Sequence, residues 1–391
     1  FAKRQGLRMP RGLTGATPGD VRAAVEKIGF PVLIRPSYVL GGRGMEILTD
    51  NAQLDAYMSE AYIAPDKPLL VDQYLGGAME LDVDSVCDGE EVLIGAIMEH
   101  LEEAGIHSGD STCFIPPQNV SPEIIQQVED WTERIGVGLG IRGCFNIQYA
   151  IKEEVLYVLE VNPRGSRTFP FVAKSTGVPL ARIAAKLALG AKLSSIEYPR
   201  LETNLVCVKA PVFPFLKLRG LDPAPGPEMK STGEVMGSHE DPAAAYLKAR
   251  LATELPVPTS GGVYITVRDS DKNEVIKHAS RLQELGFHLH ATPGTAQILR
   301  DVGGLEVETA YRIAEGRGPD ALDLMRQGDI QLILNTPSKS GGAVLDGNMM
   351  RRLAVELNIP FVTTLNGARM EVEAIAVARE GLPEPRRLIG T

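Results

Sequence analysis

The order of strands and helices changes near residues 254–262 of this 391-residue chain, and that change limits the folds available to it. The segment ELPVPTSGG combines Pro, Ser and Gly, which is typical of a boundary. After Gly262, strand-length apolar runs alternate with helix-like runs, which predicts a parallel sheet of βαβ units. Before an earlier breakpoint near residues 191–200, strands dominate and a helix at 122–135 lies between them, which predicts an α+β fold with antiparallel hairpins.

Apolar runs and turn residues place the individual elements. The strands predicted before the boundary are Pro31–Arg35, Leu69–Tyr74, Glu80–Cys87, Val92–Glu99, Cys144–Ile151 and Val155–Val161. The predicted helices include Leu180–Leu189 and Pro242–Ala252, and after the boundary Lys272–Leu285, one from Gly294, Asp346–Leu357 and Glu371–Arg379. We expect three parts: residues 1–195, 196–254 and 255–391.

Composition excludes several classes of protein. The formal net charge is −10, whereas sequence-independent binding of nucleic acid needs an excess of Lys and Arg. No apolar run approaches the roughly 18 residues of a membrane span. The four cysteines are far apart and lack zinc spacing, which predicts reduced core thiols in a cytoplasmic protein. The first residue is Phe1 and no signal peptide is visible, so we expect that the chain begins inside a larger protein.

A glycine-rich segment with two arginines, RPSYVLGGRG, follows the first predicted strand. Its glycines let backbone N–H groups approach an anion because no Cβ intervenes. Arg35 and Arg43 add charged donors that suit phosphate oxygens. The segment is neither a Walker A loop nor a Rossmann fingerprint, since no GK[ST] follows and no helix is expected after it. A flexible hairpin with two solvated arginines remains the alternative.

Two predicted strands, CFNIQYAI and VLYVLEVN, carry side chains that suit a divalent cation. Side chains alternate along a strand, so Glu160 and Asn162 share one face. If the turn centres on Glu153, Gln148 lies opposite Val158 and is a diagonal neighbour of Glu160, roughly 7–8 Å away. One carboxylate and two amides suit a Mg²⁺ ion that keeps waters and phosphate oxygens as its other ligands. Without His or Cys in the set, Zn²⁺ is a poor fit.

The turn PRGSR after this hairpin brings Arg164 and Arg167 to the same strand end. A metal that bridges phosphates, beside arginines that meet the charge developing on a transferred group, forms a phosphoryl-transfer site. The alternative is an exposed polar strand end. The combined spacing E-x-N-P-R-x-x-R after an apolar strand favours the phosphoryl-transfer site over this alternative.

Six segments in order identify a family resemblance: RPSYVLGGRGMEI, DQYLGGAMELDVD, MEHLEEAGIHSGDS, the Gln148 strand, LEVNPRGSRT and GPEMKSTGEVMG. The chain resembles the carbamoyl-phosphate-forming half of the large subunit of carbamoyl-phosphate synthase, an ATP-grasp enzyme. The resemblance implies an N-terminally truncated ATP-grasp domain of α+β type. From about residue 255 it implies a Rossmann-like α/β domain of the methylglyoxal-synthase-like kind.

The resemblance implies ATP and Mg²⁺ or Mn²⁺ as cofactors for phosphorylation of carbamate to carbamoyl phosphate. The metal would be held by Gln148, Glu160 and Asn162, and Glu160 and Asn162 would act in catalysis together with Arg164 and Arg167. The implied ATP-binding positions are Arg35, Gly41, Gly42, Gln73, Leu75, Glu80, Gly105, Ile106, His107, Ser108, Gln148 and Glu160. His107, Ser108 and Asp110 are not interpreted as a hydrolase triad, because they are nearly contiguous and lack a nucleophile elbow.

The predicted parallel sheet implies a ligand site at the carboxyl ends of its strands. The segment ATPGT runs into a helix whose N–H groups can hold a phosphate. The resemblance implies a nucleotide effector, a pyrimidine or purine monophosphate. Its candidate ligands are Thr266, Lys272, Thr292, Gly294, Thr295, Arg312, Asn335, Thr336 and Ser338. The alternative is that these hydroxyls merely cap helices.

The resemblance also implies partners. Large subunits of the family carry two homologous halves and receive ammonia from a glutaminase small subunit, in arginine and pyrimidine biosynthesis. Some relatives bind an amino-acid activator, but Ala210 and Phe361 stand where those relatives place an acidic residue and a Tyr. Two other functions stay open: a different ATP-grasp carboxylate ligase that makes an acyl phosphate, and a non-catalytic nucleotide-sensing module.

Overall fold

The computed structural model describes residues 1–37, 42–61, 66–199, 204–214, 222–338 and 342–385. These residues form two compact units. The first contains the described residues of Phe1–Cys207 and Gly226–Met229. The second contains those of Val208–Pro225 and Lys230–Arg386.

The N-terminal part of the first unit is a small antiparallel sheet with two helices. Its strands lie in the order β1 (Gly12–Gly15), β4 (Leu69–Gln73), β2 (Val32–Pro36) and β3 (Glu46–Leu48). The helices are α1 (Pro18–Ile28) and α2 (Asn51–Glu60). Thr17 and Asp20 form a capping box at the start of α1. Apolar residues of α1, such as Val21, share a core with Ile34 of β2, and this packing fixes the strand that carries Arg35.

A second sheet of this unit contains the metal hairpin, the pair of strands that carries the predicted metal ligands Gln148, Glu160 and Asn162. Side by side lie β7 (Cys113–Ile115), β6 (Val92–Glu103), β5 (Met79–Asp88), β8 (Arg142–Lys152) and β9 (Val155–Asn162), each antiparallel to its neighbour. Helix α3 (Pro122–Gly138) covers one face, where its Trp131 joins Phe145, Ile147 and Tyr149 in a core. Alternation therefore turns Asn146 and Gln148 of β8 to the opposite face. After β9 come α4 (Phe169–Thr176) and α5 (Leu180–Ala188).

The strands predicted for this unit are confirmed, with small shifts at their ends. The largest shift is in β6, which runs to Glu103 rather than Glu99. Elements that the sequence analysis missed are β1, β3, β7, α1, α2 and α4. The missed strands have only three or four residues, too few to show a period-two pattern.

The second unit contains the predicted parallel sheet, which is confirmed. Its strands lie in the order β14 (Val307–Thr309), β13 (His288–Ala291), β12 (Gly262–Thr266), β15 (Leu332–Asn335) and β16 (Phe361–Val362), and all adjacent pairs are parallel. Val263 and Ile265 face one core and Tyr264 faces another. Both faces of the sheet are therefore covered, as parallel sheets require.

The helices of the second unit pack on both faces of this sheet. One core contains residues of α7 (Lys272–Glu284), α8 (Pro293–Asp301) and α11 (Leu365–Glu380), and the other contains residues of α9 (Ala321–Gln327) and α10 (Gly342–Glu356). The second unit also contains residues 208–212 of β10 (Val206–Val212), together with the whole of β11 (Gly233–His239) and α6 (Pro242–Ala252). Helix α11 starts at Leu365, not at the predicted Glu371, because Thr364 caps it. None of the helices in the described part of the chain combines the length and the apolar character that a membrane span needs.

We expect acid to lower the stability of the folded chain because of His278 on α7. The side chain is 5% exposed, and its Nε2 has no hydrogen-bond partner among the described residues. Burial, followed by the charge of Lys277, lowers the pKa of His278 to about 4. Below about pH 6.5 the unfolded state therefore binds a proton that the folded state does not. From this residue alone, the unfolding free energy should fall by on the order of 2–3 kcal/mol between pH 7 and pH 4.5.

Chemical denaturation of the full chain at the two pH values measures this loss. His278→Leu should lose less stability on acidification than the wild type does. His288→Gln, at the exposed start of β13, is the matched control and should keep the wild-type loss. An equal acid-induced loss in all three proteins would contradict the assignment to His278.

Candidate nucleotide and metal site

The β8–β9 hairpin aligns the predicted metal ligands more closely than the sequence analysis expected. Gln148 pairs directly with Glu160, and Asn146 pairs with Asn162. The predicted register, with Gln148 opposite Val158, is wrong. Val158 lies opposite Tyr149 instead. Directly opposite residues share a face, so Gln148 and Glu160 are neighbours rather than diagonal partners.

A β-bulge explains the difference. The register shifts between Gln148 and Tyr149, so β9 carries one extra residue, Leu159, at this point. Before the bulge, Leu156 and Val158 belong to the core under α3. Uninterrupted alternation would send Glu160 to that same apolar face. The bulge reverses the alternation and turns Glu160 to the polar face with Gln148.

A cavity of about 1360 Å³ in the first unit gathers the predicted positions. It is lined by Arg35, Gly42, Gln73, Leu75, Glu80, Gly105, Ile106, His107, Ser108, Gln148, Glu160, Asn162, Arg164 and Arg167. The remaining predicted ATP position, Gly41, lies outside the described residues. The structure therefore brings the expected nucleotide, metal and arginine positions around one space large enough for a nucleotide.

Arg35 on β2 contacts one acidic residue of the neighbouring strand β4 and one of the β8–β9 hairpin. Its Nε donates to Asp72 Oδ2 at 2.8 Å, and an outer nitrogen lies 3.7 Å from Glu160 Oε2. Gly42 has φ +70, and a Cβ there would lie 1.9 Å from the carbonyl oxygen of Pro227. A side chain at this position is excluded by both the dihedral angle and the contact. The absence of a side chain at Gly42 therefore permits its close approach to the 226–229 segment.

Glu80 is a buried carboxylate beside the cavity. It is 2% exposed, and its Oε2 accepts a hydrogen bond from the Gly105 backbone N–H at 3.1 Å. Burial raises the pKa of Glu80 to about 7, although the charge of His100 opposes the shift. Such a side chain can accept a hydrogen bond from a hydroxyl group or, when protonated, donate one.

His107 is held as a neutral ring with a defined tautomer. The Gly109 backbone N–H donates to His107 Nδ1 at 3.0 Å, and burial lowers the pKa of His107. With Nδ1 accepting, the ring proton lies on Nε2, which can donate to an anionic oxygen. The His107 backbone N–H donates to the Gly226 carbonyl at 2.9 Å, so the 226–229 segment also supports this side of the cavity.

The donor set fits a hard divalent cation. Gln148, Glu160 and Asn162 offer oxygen atoms from one face of adjacent strands, and the Glu160 side chain lines the cavity and is 41% exposed. Oxygen ligands of this kind suit Mg²⁺ or Mn²⁺, which complete their shells with waters and phosphate oxygens. In the described part of the chain, no cluster of three or more His, Cys, Asp and Glu residues offers another metal site.

Several cavity residues were not singled out from the sequence. Asn146, Ser166, Pro227 and Met229 also line the space. A nitrogen of Arg167 lies 2.9 Å from the Met229 sulfur, so this methionine limits where the arginine can point. Pro227 and Met229 lie in the segment GPEMK, which the resemblance had marked only as a family motif.

The predicted effector positions line a separate cavity of about 270 Å³ within the second unit. Its lining includes all of them: Thr266, Lys272, Thr292, Gly294, Thr295, Arg312, Asn335, Thr336 and Ser338. Strands β12 and β15 end at Thr266 and Asn335, and Thr292 follows β13. The cavity therefore lies at the carboxyl ends of the parallel strands, where ligands of such sheets bind.

Two details at this cavity concern the start of α8. Thr292 is the N-cap residue of α8, but its side chain makes no capping hydrogen bond. Its hydroxyl instead donates to Thr295 Oγ1 at 3.2 Å, so the alternative that Thr292 merely caps α8 is wrong. A Cβ on Gly294 would lie 2.9 Å from Lys272 Nζ, so the glycine lets this ammonium group approach the start of the helix.

Asn335 and Thr336 have structural contacts of their own. Asn335 Nδ2 donates to the Thr266 carbonyl at 3.2 Å, and Asn335 Oδ1 accepts from Arg351 at 2.5 Å. The Arg268 backbone N–H donates to Thr336 Oγ1 at 3.0 Å. These contacts tie the ends of β12 and β15 together, so both residues shape the cavity wall.

Comparison with solved structures defines the class of fold. Carboxyaminoimidazole ribonucleotide synthase from Aspergillus clavatus, solved in complex with ATP, superposes with a TM-score of 0.51 at 16% sequence identity. The superposition covers 65% of this chain and 70% of that one. The first unit thus has an ATP-grasp fold.

Sequence comparison then gives the family. The family described as carbamoyl-phosphate synthase L chain, ATP binding domain, matches residues 2–196, and the MGS-like domain matches residues 274–363. The C-terminal section of the carbamoyl phosphate synthase large chain of Methanocaldococcus jannaschii is 46% identical over 391 residues, covering 97% of this chain and 63% of that protein. The chain belongs to the carbamoyl-phosphate synthase large-chain family.

A second relative gives the share of a whole large chain that this chain spans. The carbamoyl phosphate synthase large chain of Archaeoglobus fulgidus is 49% identical over 363 residues, which is 92% of this chain. The match covers 34% of that protein. This chain therefore spans about a third of the length of such a relative.

Proposed function

We propose that this chain binds ATP with Mg²⁺ or Mn²⁺ and phosphorylates carbamate to carbamoyl phosphate, as a ligase within a carbamoyl-phosphate synthase large chain. The observation that carries the proposal is the bulged β8–β9 hairpin. It turns Gln148 and Glu160 to one face of the cavity, with Asn162 at its end. Arg35, Arg164 and Arg167 line the same space, so phosphate charge can be met from several sides.

Each residue has a defined task in this proposal. Arg35, Gly41, Gly42, His107 and Ser108 bind the triphosphate, while Gln73, Leu75, Glu80, Gly105 and Ile106 bind the nucleoside. Gln148, Glu160 and Asn162 hold the metal, which supplies Lewis-acid charge neutralisation when bound. Arg164 and Arg167 orient carbamate and the γ-phosphoryl group. A carbamate oxygen forms the new bond to the γ-phosphorus, the bond to the β–γ bridging oxygen breaks, and ADP leaves with that electron pair.

The family suggests how this chain is organised and what it works with. We assign residues 1–195 to an ATP-grasp domain, 196–254 to the remainder of the synthetic half and a connector, and 255–391 to a regulatory domain. The expected partners are the N-terminal half of the large subunit and a glutaminase small subunit that supplies ammonia. The expected location is the cytoplasm, in arginine and pyrimidine biosynthesis.

The reverse half-reaction tests the proposed activity on this chain alone. With Mg²⁺, ADP and carbamoyl phosphate, the chain should form ATP, and chelation of the metal should abolish the signal. Carbamoyl phosphate should be used in preference to acetyl phosphate. If ADP binds but neither phosphate donor yields ATP, the catalytic proposal fails for this chain.

A different ATP-grasp carboxylate ligase is the second candidate. Its metal chemistry would use the same three ligands, so the β8–β9 hairpin does not distinguish the two. The sequence relatives favour carbamoyl phosphate. A chain that forms ATP from acetyl phosphate, but not from carbamoyl phosphate, would reverse this order.

We also propose that the cavity of the second unit binds a nucleoside monophosphate as an effector. Lys272, Thr292 and Thr295 surround the start of α8, where backbone N–H groups can hold a phosphate. UMP or IMP at about 100 times its Kd should stabilise the folded chain by about 2.7 kcal/mol. A thermal-shift titration measures this gain.

A variant pair makes the effector test specific. Lys272→Met should weaken the shift by removing a cation from the cavity wall. Lys277→Met is the matched control on the same helix, since the Lys277 side chain is 60% exposed and pairs with Glu274. The regulatory assignment fails if neither UMP nor IMP shifts the wild type.

A further inference from the structure

Asp84 on β5 is a buried carboxylate beside the cavity that the proposed function leaves without a task. The residue is 0% exposed. It accepts hydrogen bonds from Ser166 Oγ at 2.7 and 2.9 Å, from Thr168 Oγ1 at 2.7 Å and from Asn146 Nδ2 at 3.0 Å. Three side chains from two other segments therefore converge on one carboxylate.

Two of these donors flank Arg167 in the chain. Ser166 precedes it and Thr168 follows it, in the turn between β9 and α4. The two hydroxyls also lie 2.9 Å from each other. Asp84 thus fixes the backbone on both sides of Arg167, while the arginine itself lines the cavity.

The third donor links Asp84 to the metal hairpin. Asn146 pairs with Asp84 of β5 on one side and with Asn162 of β9 on the other. Its amide also donates to Asp82 Oδ1 at 3.1 Å. The row from Asp84 through Asn146 to Asn162 runs across three strands, so one carboxylate is tied to both the arginine turn and the strand of the metal ligands.

The arrangement is poorly explained by stability alone. Among the described residues, none of the groups that hydrogen-bond Asp84 carries a positive charge, and a buried carboxylate without a cation is costly. Burial raises the pKa of Asp84 to about 6, although its three donors oppose the shift. Thr168 is the N-cap residue of α4, yet its side chain makes no capping hydrogen bond and binds Asp84 instead.

We propose that Asp84 is a positioning residue that aims Arg167 at the transferred phosphoryl group by holding both of its neighbours in the chain. This inference rests on the proposed phosphoryl transfer. A loosened turn would move the guanidinium group, and a displacement of about 1 Å can lower the rate of an oriented reaction on the order of 100-fold. The binding of ADP, which depends on other residues, should change little.

Asp84→Asn tests this role through the kinetics of ATP formation from ADP and carbamoyl phosphate. It should lower kcat by roughly 10–100-fold and leave the KM for ADP within about two-fold. In an Arg167→Ala background the same substitution should have almost no further effect, because the residue it positions is gone. Asp88→Asn is the matched control, since Asp88 is a buried acid on the same strand that binds the Leu193 backbone N–H. It should leave kcat near the wild-type value.

Two further measurements distinguish a loss of Arg167 positioning from a folding defect. If Asp84→Asn does not fold, Ser166→Ala and Thr168→Val remove single donors and should each lower kcat by part of that amount. The NMR order parameter of the Arg167 Nε–H should fall in Asp84→Asn but not in Asp88→Asn, and this readout does not require turnover. An unchanged kcat, an equal loss in the Arg167→Ala background or an unchanged order parameter would overturn the positioning role. A wild type that makes no ATP would instead count against the proposed function.

Discussion

Glu160→Gln is expected to lower Mg²⁺-dependent ATP formation from ADP and carbamoyl phosphate by roughly 10³-fold. Glu160 is the carboxylate of the proposed ligand set, whose other members, Gln148 and Asn162, are neutral amides. Its replacement removes the one negative charge with which this set would hold a divalent cation. The substitution preserves the side-chain shape, so the fold and the bulge at Leu159 should persist.

A matched control distinguishes the loss of a metal ligand from the general effect of replacing a glutamate in the same hairpin. Glu153 lies in the exposed turn of the same β8–β9 hairpin, and Glu153→Gln should keep a rate within about two-fold of the wild type. Raising the Mg²⁺ or Mn²⁺ concentration should recover part of the lost activity of Glu160→Gln, because weaker binding is partly offset by mass action. Equal rates for Glu160→Gln and the wild type would exclude Glu160 from the metal site.

Arg250→Met is expected to lower the unfolding free energy by about 3–5 kcal/mol. Arg250 on α6 donates from Nε to Glu371 Oε2 on α11 at 2.9 Å, and the Tyr246 hydroxyl donates to the same oxygen at 2.9 Å. Glu371 is 0% exposed and Arg250 is 9% exposed. The substitution leaves a buried carboxylate without its cation, and such a charge is far more costly than a lost surface contact.

Urea denaturation of three variants tests this explanation. Arg250→Met/Glu371→Gln removes both charges and keeps an acceptor for Tyr246, so it should recover more than half of the loss. Arg281→Met breaks an exposed pair with Glu284 and should cost at most about 0.5 kcal/mol. A loss in Arg250→Met no larger than in Arg281→Met would show that the buried pair is not a major source of stability.

The elements that could be predicted from the sequence are those with a long, regular pattern. Strands such as β5, β6 and β8 run for ten residues or more, and the βαβ alternation after Gly262 is repeated several times. Strands β1 and β3 have four and three residues, so their pattern is too short to detect. Helix α1 had a readable signal that was overlooked: the capping box Thr17 to Asp20 with Pro18 at the first helical position.

The candidate site could be predicted in composition but not in detail. The motif E-x-N-P-R-x-x-R indicates the candidate metal and arginine positions because these residues are local to one strand and its turn. The bulge at Leu159 was not predictable from alternation, since nothing in VLYVLEVN signals an extra residue. Asp84 could not be linked to Ser166 and Thr168, which lie more than eighty positions away and meet it only in the folded sheet.

The proposed metal site can be tested directly with Mn²⁺, whose anomalous scattering marks its position in a crystal grown with ADP. We expect Mn²⁺ density within about 2–2.5 Å of oxygen atoms from Glu160 and from at least one of Gln148 and Asn162, next to the diphosphate. Mn²⁺ bound to the nucleotide without contact to these side chains would contradict this expectation, as would a nucleotide outside the cavity lined by Arg35 and His107.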